Sequence, residues 1–304
     1  MSIFSKPQTI ILKDSTRDED YLKQLNDLLQ SASDEETKKK IEKEIAVVNA
    51  GITGEKNIIY ELQNSHMDMV VLHDLYFETN TGHTAQIDFM VICSKIIFII
   101  ECKNLVGNIE INSKGDFVRT IYYGNKYKKE GIYSPITQNQ RHLEVLKEKK
   151  ADSQKNIIMA ALSNSGFADY FKSLVVLANP KTVLNDKFAK KEVKSQVYRA
   201  DQLVNVIKKI NQESKNLKSS LKEMQDTGTV WLNRLSDHPD TRIDHFKEML
   251  QNTVSNEQPS VKICPKCGKP LVKRISKRGE NKGQEFWGCS GFPYCRYSEL
   301  LGYK

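Results

Sequence analysis

The sequence predicts a layered α/β domain, followed by a small cysteine-rich C-terminal module. Apolar runs of strand length alternate with segments of helical periodicity over most of the chain, which is typical of layered α/β domains. Four of the six cysteines fall within residues 261–304. The polar, proline-containing residues 251–260 separate the two regions and are interpreted as a linker.

Length and charge set the first limits on function. A chain of 304 residues accommodates one medium-sized domain and a smaller one. It has no apolar run of 18 residues and no evident signal-cleavage site, so neither a transmembrane helix nor a secretory signal is expected. Six cysteines without other secretory features indicate a reducing, cytoplasmic location. Residues 261–304 contribute +7 of the net charge of +8, which favours an anionic partner, most commonly nucleic acid.

Two helices and a strand are predicted at the N-terminal end. Residues 17–30 have a weakly amphipathic pattern, and Ser33 with Glu36 forms a capping-box signature. Residues 34–63 then predict a long helix, which is polar at first and apolar at helical spacing later. Residues 68–77 predict a strand.

Two glycines within the long helix indicate a close approach to the sheet. Gly51 and Gly54 each lower helix stability by roughly 1 kcal/mol relative to alanine. We expect them to allow close packing, which would place Glu55 near the sheet. A solvated helix glutamate is an equally good interpretation of Glu55.

A β-hairpin is predicted next. Two apolar runs rich in Ile, Val and Phe, Ile87–Cys93 and Ile96–Cys102, flank a short break at Ser94-Lys95. The break lacks the Asn-Gly or Asp-Gly pair that defines the commonest hairpin turn, so its turn type stays open.

The register of this hairpin brings two acidic residues together. If the turn is symmetric about the break, Asp88 lies opposite Glu101, and Lys103 lies on the same face because strand side chains alternate. Opposed residues have Cβ atoms about 4.5–5.5 Å apart, where like charges are destabilising. A hard divalent cation, Mg²⁺ or Mn²⁺, would relieve the repulsion, with Asp88 and Glu101 as ligands and Lys103 close to a metal-bound water. The alternative is an ordinary hairpin whose acids point into solvent.

Aromatic and basic residues are mixed in the segment after the hairpin. Residues 108–112 and 117–123 predict short strands, separated by glycines. Tyrosines and lysines then alternate: Tyr122, Tyr123, Lys126, Tyr127, Lys128, Lys129 and Tyr133. This pattern fits a nucleic-acid-binding surface, and it fits a solvated hairpin equally well.

A helix beginning at Pro135 follows, because proline favours the first helical position. Gln138, Arg141 and His142 share one face of this helix. Further strands and helices are predicted at residues 173–178, 196–199, 201–225 and 239–252.

These motifs resemble a known family of nuclease-like domains. The segments are Gly54-Glu55, Ala85-Gln86-Ile87-Asp88, Ile100-Glu101-Cys102-Lys103-Asn104 and Pro135-Ile136-Thr137-Gln138. Together they resemble the nuclease-related domain (NERD) family over residues 50–150, and Asp88 with Glu101-Cys102-Lys103 resembles the core of restriction-endonuclease-like nucleases.

The resemblance carries expectations about fold and site. It implies a restriction-endonuclease-like mixed sheet, Glu55 as a third acid at the metal, and Gln138 in a supporting role near the scissile phosphate. Gln86 stands where the family often has an acid, which leaves open whether one or two metals are held.

The C-terminal cysteines have the spacing of a structural zinc site. Cys264 and Cys267 form one pair, and Cys289 and Cys295 form a second pair after 21 intervening residues. A module of this size cannot build a sufficient apolar core, so Zn²⁺ is expected to hold it together.

The same module closely resembles the C-terminal zinc finger of type IA DNA topoisomerases, which implies binding of DNA, either single-stranded or at a junction. The residues expected to contact phosphates are Lys273, Arg274, Lys277 and Arg278. Tyr294 is expected to stack on bases, as are Phe286 and Tyr297, whereas Trp287 and Phe292 are expected to pack the ribbon.

The predicted function is a metal-dependent DNA nuclease joined to a DNA-binding zinc ribbon, acting in DNA processing or repair. The predicted domains are a helical extension (1–45), a nuclease-like α/β domain (46–250), the linker (251–260) and the zinc ribbon (261–304). Two other functions stay open: a catalytically inactive DNA-binding scaffold, and a protein-interaction adaptor.

Overall fold

The computed structural model describes residues 6–14, 16–152, 166–237, 240–256, 262–276 and 283–300. The chain divides into two compact units, Met1–Phe246 and Lys247–Lys304. The helices are α1 (Arg17–Ser31), α2 (Glu35–Gln63), α3 (Pro135–Asp152), α4 (Phe167–Tyr170), α5 (Lys191–Lys194), α6 (Ala200–Glu213), α7 (Leu221–Leu232) and α8 (Arg242–Asn256). The strands are β1 (Thr9–Lys13), β2 (Met69–Glu78), β3 (Thr84–Ile92), β4 (Ile97–Lys103), β5 (Asn108–Ile111), β6 (Phe117–Tyr123), β7 (Lys126–Ile132), β8 (Phe171–Leu177), β9 (Leu184–Asn185), β10 (Val197–Arg199), β11 (Leu271–Ile275), β12 (Glu285–Cys289) and β13 (Ser298–Leu300).

The first unit is built around a six-stranded mixed sheet in the order β1-β2-β3-β4-β8-β10. Strands β2, β3 and β4 pair antiparallel, whereas β1, β8 and β10 pair parallel to their neighbours. The central strands are apolar on both faces, because helices cover both faces. Helices α2 and α6 pack on one face through Ile58, Leu62, Leu203 and Ile207. Helices α3 and α7 pack on the other through Val145, Leu146, Met224 and Trp231. This arrangement confirms the predicted α/β class.

A second, smaller sheet in the same unit has the order β7-β6-β5-β9. Its inner residues Ile109, Ile111 and Phe117 form a core with Ile136 of α3 and Leu177 of β8. Strand β7 lies at the edge of this sheet, and its first four residues are exposed.

The N-terminal region differs from the expected helical extension of residues 1–45. Strand β1 joins the main sheet, where Thr9 pairs with Met69 and Ile10 with Val70. Helix α2 continues through residue 45 without a break. The helix begins one residue later than the capping-box signature indicated, because Asp34 accepts the hydrogen bond from the Thr37 amide at 2.7 Å.

Two predicted boundaries near the C-terminal end also differ. The pattern over residues 201–225 corresponds to two helices, α6 and α7, rather than one. The segment between them is held against the β3–β4 turn, since the Asn216 amide donates to the Lys95 carbonyl and the Ser219 amide to the Ser94 carbonyl. Helix α8 extends to Asn256, into the stretch expected to be a linker. Within the described residues, none of the helices combines the length and apolar composition needed to cross a bilayer.

The close approach of α2 to the sheet depends on one of its two glycines. A Cβ at Gly54 would lie 2.6 Å from the Asn104 Cβ and 3.2 Å from the Cys102 Sγ, which are steric conflicts. A Cβ at Gly51 would meet only the Asp18 carboxylate, at an ordinary 3.8 Å. The expectation of close packing therefore holds for Gly54 and not for Gly51.

These two positions give a matched test of helix packing. Gly54→Ala should lower the free energy of unfolding by about 1–3 kcal/mol, because the added methyl group pushes α2 away from β4. Gly51→Ala should raise it by about 0.5–1 kcal/mol, because the helix gains intrinsic propensity without a clash. Urea denaturation of both variants measures the difference. Equal effects of the two substitutions would contradict the packing described.

Candidate functional site

The register of the β3–β4 hairpin places two carboxylates at one end of the central strands. The ladder pairs Phe89 with Ile100, so Asp88 and Glu101 follow at the next position. This confirms the register predicted from a symmetric turn. The Asp88 Oδ2 atom accepts a hydrogen bond of 2.6 Å from the Cys102 amide, which ties the acid to the neighbouring strand.

Strand β3 changes direction at Asp88. Ile87 and Phe89 are two residues apart and should share a face, yet they pack into cores on opposite sides of the sheet. Asp74, at the corresponding position of β2, has a left-handed φ of 51°. Arg17 stabilises this conformation through its backbone amide, at 2.8 Å, and its guanidinium, at 3.1 Å. The kink directs the Asp88 carboxylate toward β4.

The acid pair is buried, and one lysine compensates part of its charge. Glu101 is 2% exposed, and its Oε1 accepts a hydrogen bond of 2.6 Å from Lys103 Nζ. The other oxygen, Oε2, is buried and has no hydrogen-bond partner among the described residues. A buried carboxylate oxygen without a hydrogen-bond partner is energetically costly.

Burial dominates the protonation of the acids. It raises the pKa of the Asp88 carboxyl well above its usual range, and the charges of Glu101 and Glu55 raise it further. Burial also raises the pKa of Glu101, and the charge and hydrogen bond of Lys103 and a hydrogen bond from Gln138 only partly oppose this shift. Without a cation between them, both carboxyls therefore favour the neutral form more than exposed acids do.

The pKa of Lys103 shifts opposite to the direction expected beside a metal. Burial lowers this pKa, but the charge and hydrogen bond of Glu101 outweigh burial and raise it overall. In the metal-free protein Lys103 is thus an ammonium group and a hydrogen-bond donor. This state favours a role in orienting groups and offsetting charge over a role as a base.

Helix α3 supplies two further side chains to the acid pair. Gln138 Oε1 accepts a hydrogen bond of 3.1 Å from Lys103 Nζ. One turn later, His142 Nδ1 lies 3.6 Å from Glu101 Oε2. Burial and the charge of Lys103 lower the pKa of His142 to about 4, so its ring is neutral at physiological pH. Asn139 anchors the helix by donating to main-chain carbonyls of β4 and β8 at 2.9 and 3.1 Å.

Helix α2 brings the third acid from the other face of the sheet. Glu55 Oε2 accepts a hydrogen bond of 3.0 Å from His73 Nε2. The His73 ring is 2% exposed, stacks on Phe89 at 4.4 Å, and has its Nδ1 atom 3.9 Å from Asp14. His73 thereby fixes the position of Glu55, which is close enough to Asp88 to raise its pKa.

Most of the nuclease-site residues predicted from sequence lie in one place. Asp88, Glu101, Lys103 and Gln138 form a connected set, and Glu55 adjoins it. Two contacts were missed, those of His73 and His142. The sequence assigns His73 no partner, although a polar ring inside an apolar strand is itself a signal of a functional or buried polar contact. The helical pattern predicts that His142 shares a face with Gln138. It does not predict the contact with Glu101, because that contact joins a helix to a strand.

The second unit contains a ribbon of three antiparallel strands, β11, β12 and β13. Its four cysteines converge: the Sγ atoms of Cys264 and Cys295 are 3.7 Å apart, and those of Cys267 and Cys289 are 3.3 Å apart. All four Sγ atoms lie within 4.8 Å of one another. In the described part of the chain, no other group of three or more His, Cys, Asp or Glu side chains brings its ligand atoms this close together. The arrangement is that of a four-thiolate zinc ribbon.

The aromatic residues of the ribbon divide into packed and exposed rings. Trp287 and Tyr297 pack on the small core around the cysteines. Phe292 is 57% exposed, so the expectation that it packs the ribbon is wrong, and Tyr297 takes that place. Tyr294 is 98% exposed, which leaves its whole ring available for stacking.

The basic residues of the ribbon lie beside aromatic rings. Lys273 Nζ is 5.7 Å from the centre of the Trp287 ring, and the Arg274 guanidinium is 5.6 Å from that of Phe292. The other two predicted phosphate contacts, Lys277 and Arg278, lie outside the described residues.

Fold and site thus define an α/β domain with a buried acid pair, followed by a zinc ribbon. Comparison with known families agrees in both places. Residues 50–178 match the family described as nuclease-related domain, NERD. Residues 261–302 match the topoisomerase DNA-binding C4 zinc finger. The chain therefore carries these two domains in this order, which confirms both resemblances.

Two curated proteins are similar to parts of the chain. DNA topoisomerase 1 of Mycoplasma genitalium is 34% identical over 118 residues, which cover 39% of this chain and 13% of that protein. DNA topoisomerase 1 of Mycoplasma pneumoniae is 36% identical over 74 residues, which cover 18% of this chain and 10% of that protein. The matches span only about a tenth of each relative's length. No solved structure matches the chain significantly.

Because Asp88 is buried, replacing its carboxyl group should increase the free energy of unfolding, by an amount that depends on pH. In metal-free protein, Asp88→Asn should raise the free energy of unfolding at neutral pH by about 1–3 kcal/mol, because the amide avoids burial of a charge. A carboxyl whose pKa is raised by folding destabilises the protein increasingly as pH rises above its unfolded value. The gain should therefore shrink as pH falls toward the ordinary pKa of an aspartate carboxyl, near 3.8.

Urea denaturation at several pH values measures this effect, and the exposed Asp226→Asn on α7 is the matched control. A lower stability of Asp88→Asn at neutral pH would show that Asp88 is not held at an electrostatic cost.

The cysteine quartet predicts that metal loss affects the ribbon selectively. Cys264→Ser should release zinc and unfold the ribbon, because metal binding supplies the folding energy of so small a module. The chain has two tryptophans, Trp231 in the first unit and Trp287 in the ribbon. The fluorescence of Trp287, measured in a Trp231→Phe background, should change on metal loss. That of Trp231, measured in a Trp287→Phe background, should not. Unchanged Trp287 fluorescence after zinc loss would contradict a metal-held ribbon.

Proposed function

We propose that this protein is a Mg²⁺- or Mn²⁺-dependent deoxyribonuclease whose zinc ribbon holds the DNA. The observation that carries the proposal is the buried pair Asp88 and Glu101, at one end of two central strands, beside Lys103. A structural hairpin gains nothing from opposing two buried acids. The match of residues 50–178 to a nuclease-related domain supports the same function.

The residues present fit a divalent cation. The Glu101 Oε2 atom is buried and has no hydrogen-bond partner among the described residues. The pKa values of Asp88 and Glu101 are raised, and a nearby positive charge would lower them. Asp88 and Glu101 would hold the cation. Glu55 from α2 would have to move closer to act as a third acid, because these three carboxylates are not among the described groups whose ligand atoms converge within 4.8 Å. A bound Mg²⁺ would lower the pKa of a coordinated water and stabilise the negative charge of the transition state.

The remaining residues orient groups around this pair. Lys103 donates to Glu101 and Gln138, so its ammonium group is fixed within reach of a phosphate or an attacking water. Gln138 fixes the lysine, in line with the supporting role that the family resemblance implies. His142, which is neutral at physiological pH, adds no positive charge that would compete with a cation beside Glu101.

The ribbon supports the DNA-binding part of the proposal. Its match to a topoisomerase DNA-binding zinc finger favours DNA as the partner. The exposed ring of Tyr294 is suited to base stacking, and Lys273 and Arg274 are suited to phosphate contacts. A single strand or a junction is the proposed substrate, because stacking requires unpaired bases, and DNA processing in the cytoplasm is the proposed setting.

The principal alternative is a catalytically inactive DNA-binding scaffold. A scaffold has no use for buried acids that carry raised pKa values, which is why the nuclease is favoured. A protein-interaction adaptor is distinguished by salt: DNA binding through lysines and arginines weakens steeply as salt concentration rises, whereas an apolar protein contact does not.

Cleavage assays test the proposal directly. Wild-type protein should cut plasmid or single-stranded DNA in the presence of Mg²⁺ or Mn²⁺. Asp88→Ala should reduce cutting to background, because the cation loses a ligand. Lys103→Ala should reduce it about 10²–10³-fold, the usual effect of removing one charge-stabilising donor.

The matched controls are Asp226→Ala and Lys222→Ala, which remove the exposed ion pair on α7. Both should cut like wild type. Metal-dependent cutting that survives Asp88→Ala and Lys103→Ala would exclude this site as its source. Intact DNA binding without any cutting by wild type would favour the scaffold.

A further inference from the structure

We propose that the edge of the small sheet is a track for single-stranded nucleic acid that leads to the Asp88–Glu101 pair. The track consists of Tyr122 and Tyr127 on the β6–β7 hairpin, Lys129, and Tyr133 with Arg141 at the start of α3. The inference rests on the proposed function, because it assigns the path of the substrate strand of that site.

The first observation is that strand register places these side chains on one face. Tyr122 pairs directly with Tyr127, and their ring centres are 6.3 Å apart. Lys129 and Gly131 share the face of Tyr127, because they follow it at the two-residue period of a strand. Tyr133 continues the same period just beyond the end of β7. The tyrosines at the two ends of this row are about 20 Å apart along the strand.

The second observation is exposure. Tyr122, Tyr127 and Tyr133 are 60%, 63% and 59% exposed, although tyrosine usually buries much of its ring. Lys129 is exposed, and a Cβ at Gly131 would meet nothing within 4 Å. The row therefore offers stacking faces and a positive charge, with an open gap before Tyr133.

The third observation is continuity with the acid pair. The Arg141 guanidinium lies 5.6 Å from the centre of the Tyr133 ring. Arg141 is three residues after Gln138 on α3, and Gln138 contacts Lys103. A strand that stacks on the tyrosines is thus led past an arginine to the lysine of the candidate site.

Charge favours a polyanion as the occupant. Lys129 is exposed on the face of the tyrosines, and Lys126 and Lys128 are exposed on the opposite face of the same edge strand. The acid on that strand, Glu130, already pairs with Lys128 at 2.7 Å and Arg119 at 3.4 Å. Glu110 is on the same face as the tyrosines, on β5, which is two strands from Tyr127 and one strand from Tyr122.

Protection of an exposed edge explains part of this composition. Lysines on an edge strand prevent pairing with other sheets. That purpose does not require exposed tyrosines, which add apolar area to the edge. Base stacking requires both rings and cations, and it requires unpaired bases, so the occupant is a single strand rather than a duplex.

Photocrosslinking tests the track independently of cleavage. The probe is an oligothymidylate carrying 5-iodouracil, and the protein is the full chain with Asp88→Asn and without added divalent cation. Mass spectrometry should locate crosslinks on peptides that contain Tyr127 or Tyr133. Crosslinks confined to the ribbon would overturn the proposal.

Affinity measurements with the same oligothymidylate test the stacking. Tyr127→Ala and Tyr133→Ala should each weaken binding about tenfold or more. Tyr127→Phe should bind like the parent, because the ring is kept, and so should Tyr170→Ala, which removes an exposed tyrosine elsewhere. Unchanged binding in the alanine variants, an equal loss in Tyr127→Phe, or an equal loss with a duplex probe would each overturn it. Neither crosslinking nor affinity depends on DNA cleavage. Both measurements therefore test the track even if the protein does not cut DNA.

Discussion

The pairing of β3 with β4 is the constraint on which the rest of the site depends. Its register sets Asp88 against Glu101 at the end of two strands that are apolar and buried elsewhere. The sheet also supplies a cation, Lys103, which donates to one oxygen of Glu101, while the other oxygen has no hydrogen-bond partner in the described part of the chain. Two buried acids beside one lysine leave negative charge uncompensated, and this charge is the basis on which we propose that a cation binds there.

The helices on both faces of the sheet place further polar side chains around the acid pair. Helix α2 approaches closely because Gly54 has no side chain to separate it from β4, and it presents Glu55 to the acids. Helix α3 is fixed by Asn139 and brings Gln138 and His142 to the other face. Each helix holds its polar group in place through a second residue, His73 behind Glu55 and Lys103 beside Gln138. Rigid positioning of this kind is what a catalytic metal centre requires.

Sequence reasoning succeeded where the determining contacts are local. The hairpin register follows from a symmetric turn, and the face of Lys103 follows from strand alternation. It failed where pairing joins distant segments: β1 pairs with a strand 60 residues later. Local patterns contain no information about such partners. The kink at Asp88 was also missed, because it depends on the left-handed Asp74 in the neighbouring strand and on Arg17 from α1.

Binding of a divalent cation by the acid pair can be measured without any cleavage assay. Isothermal titration calorimetry of Mn²⁺ into wild-type protein and Glu101→Gln, with zinc content confirmed to be equal, measures this most directly. The account predicts saturable binding by wild type that is lost in Glu101→Gln, because the amide removes the charge and keeps the shape. Equal binding by both proteins would contradict it.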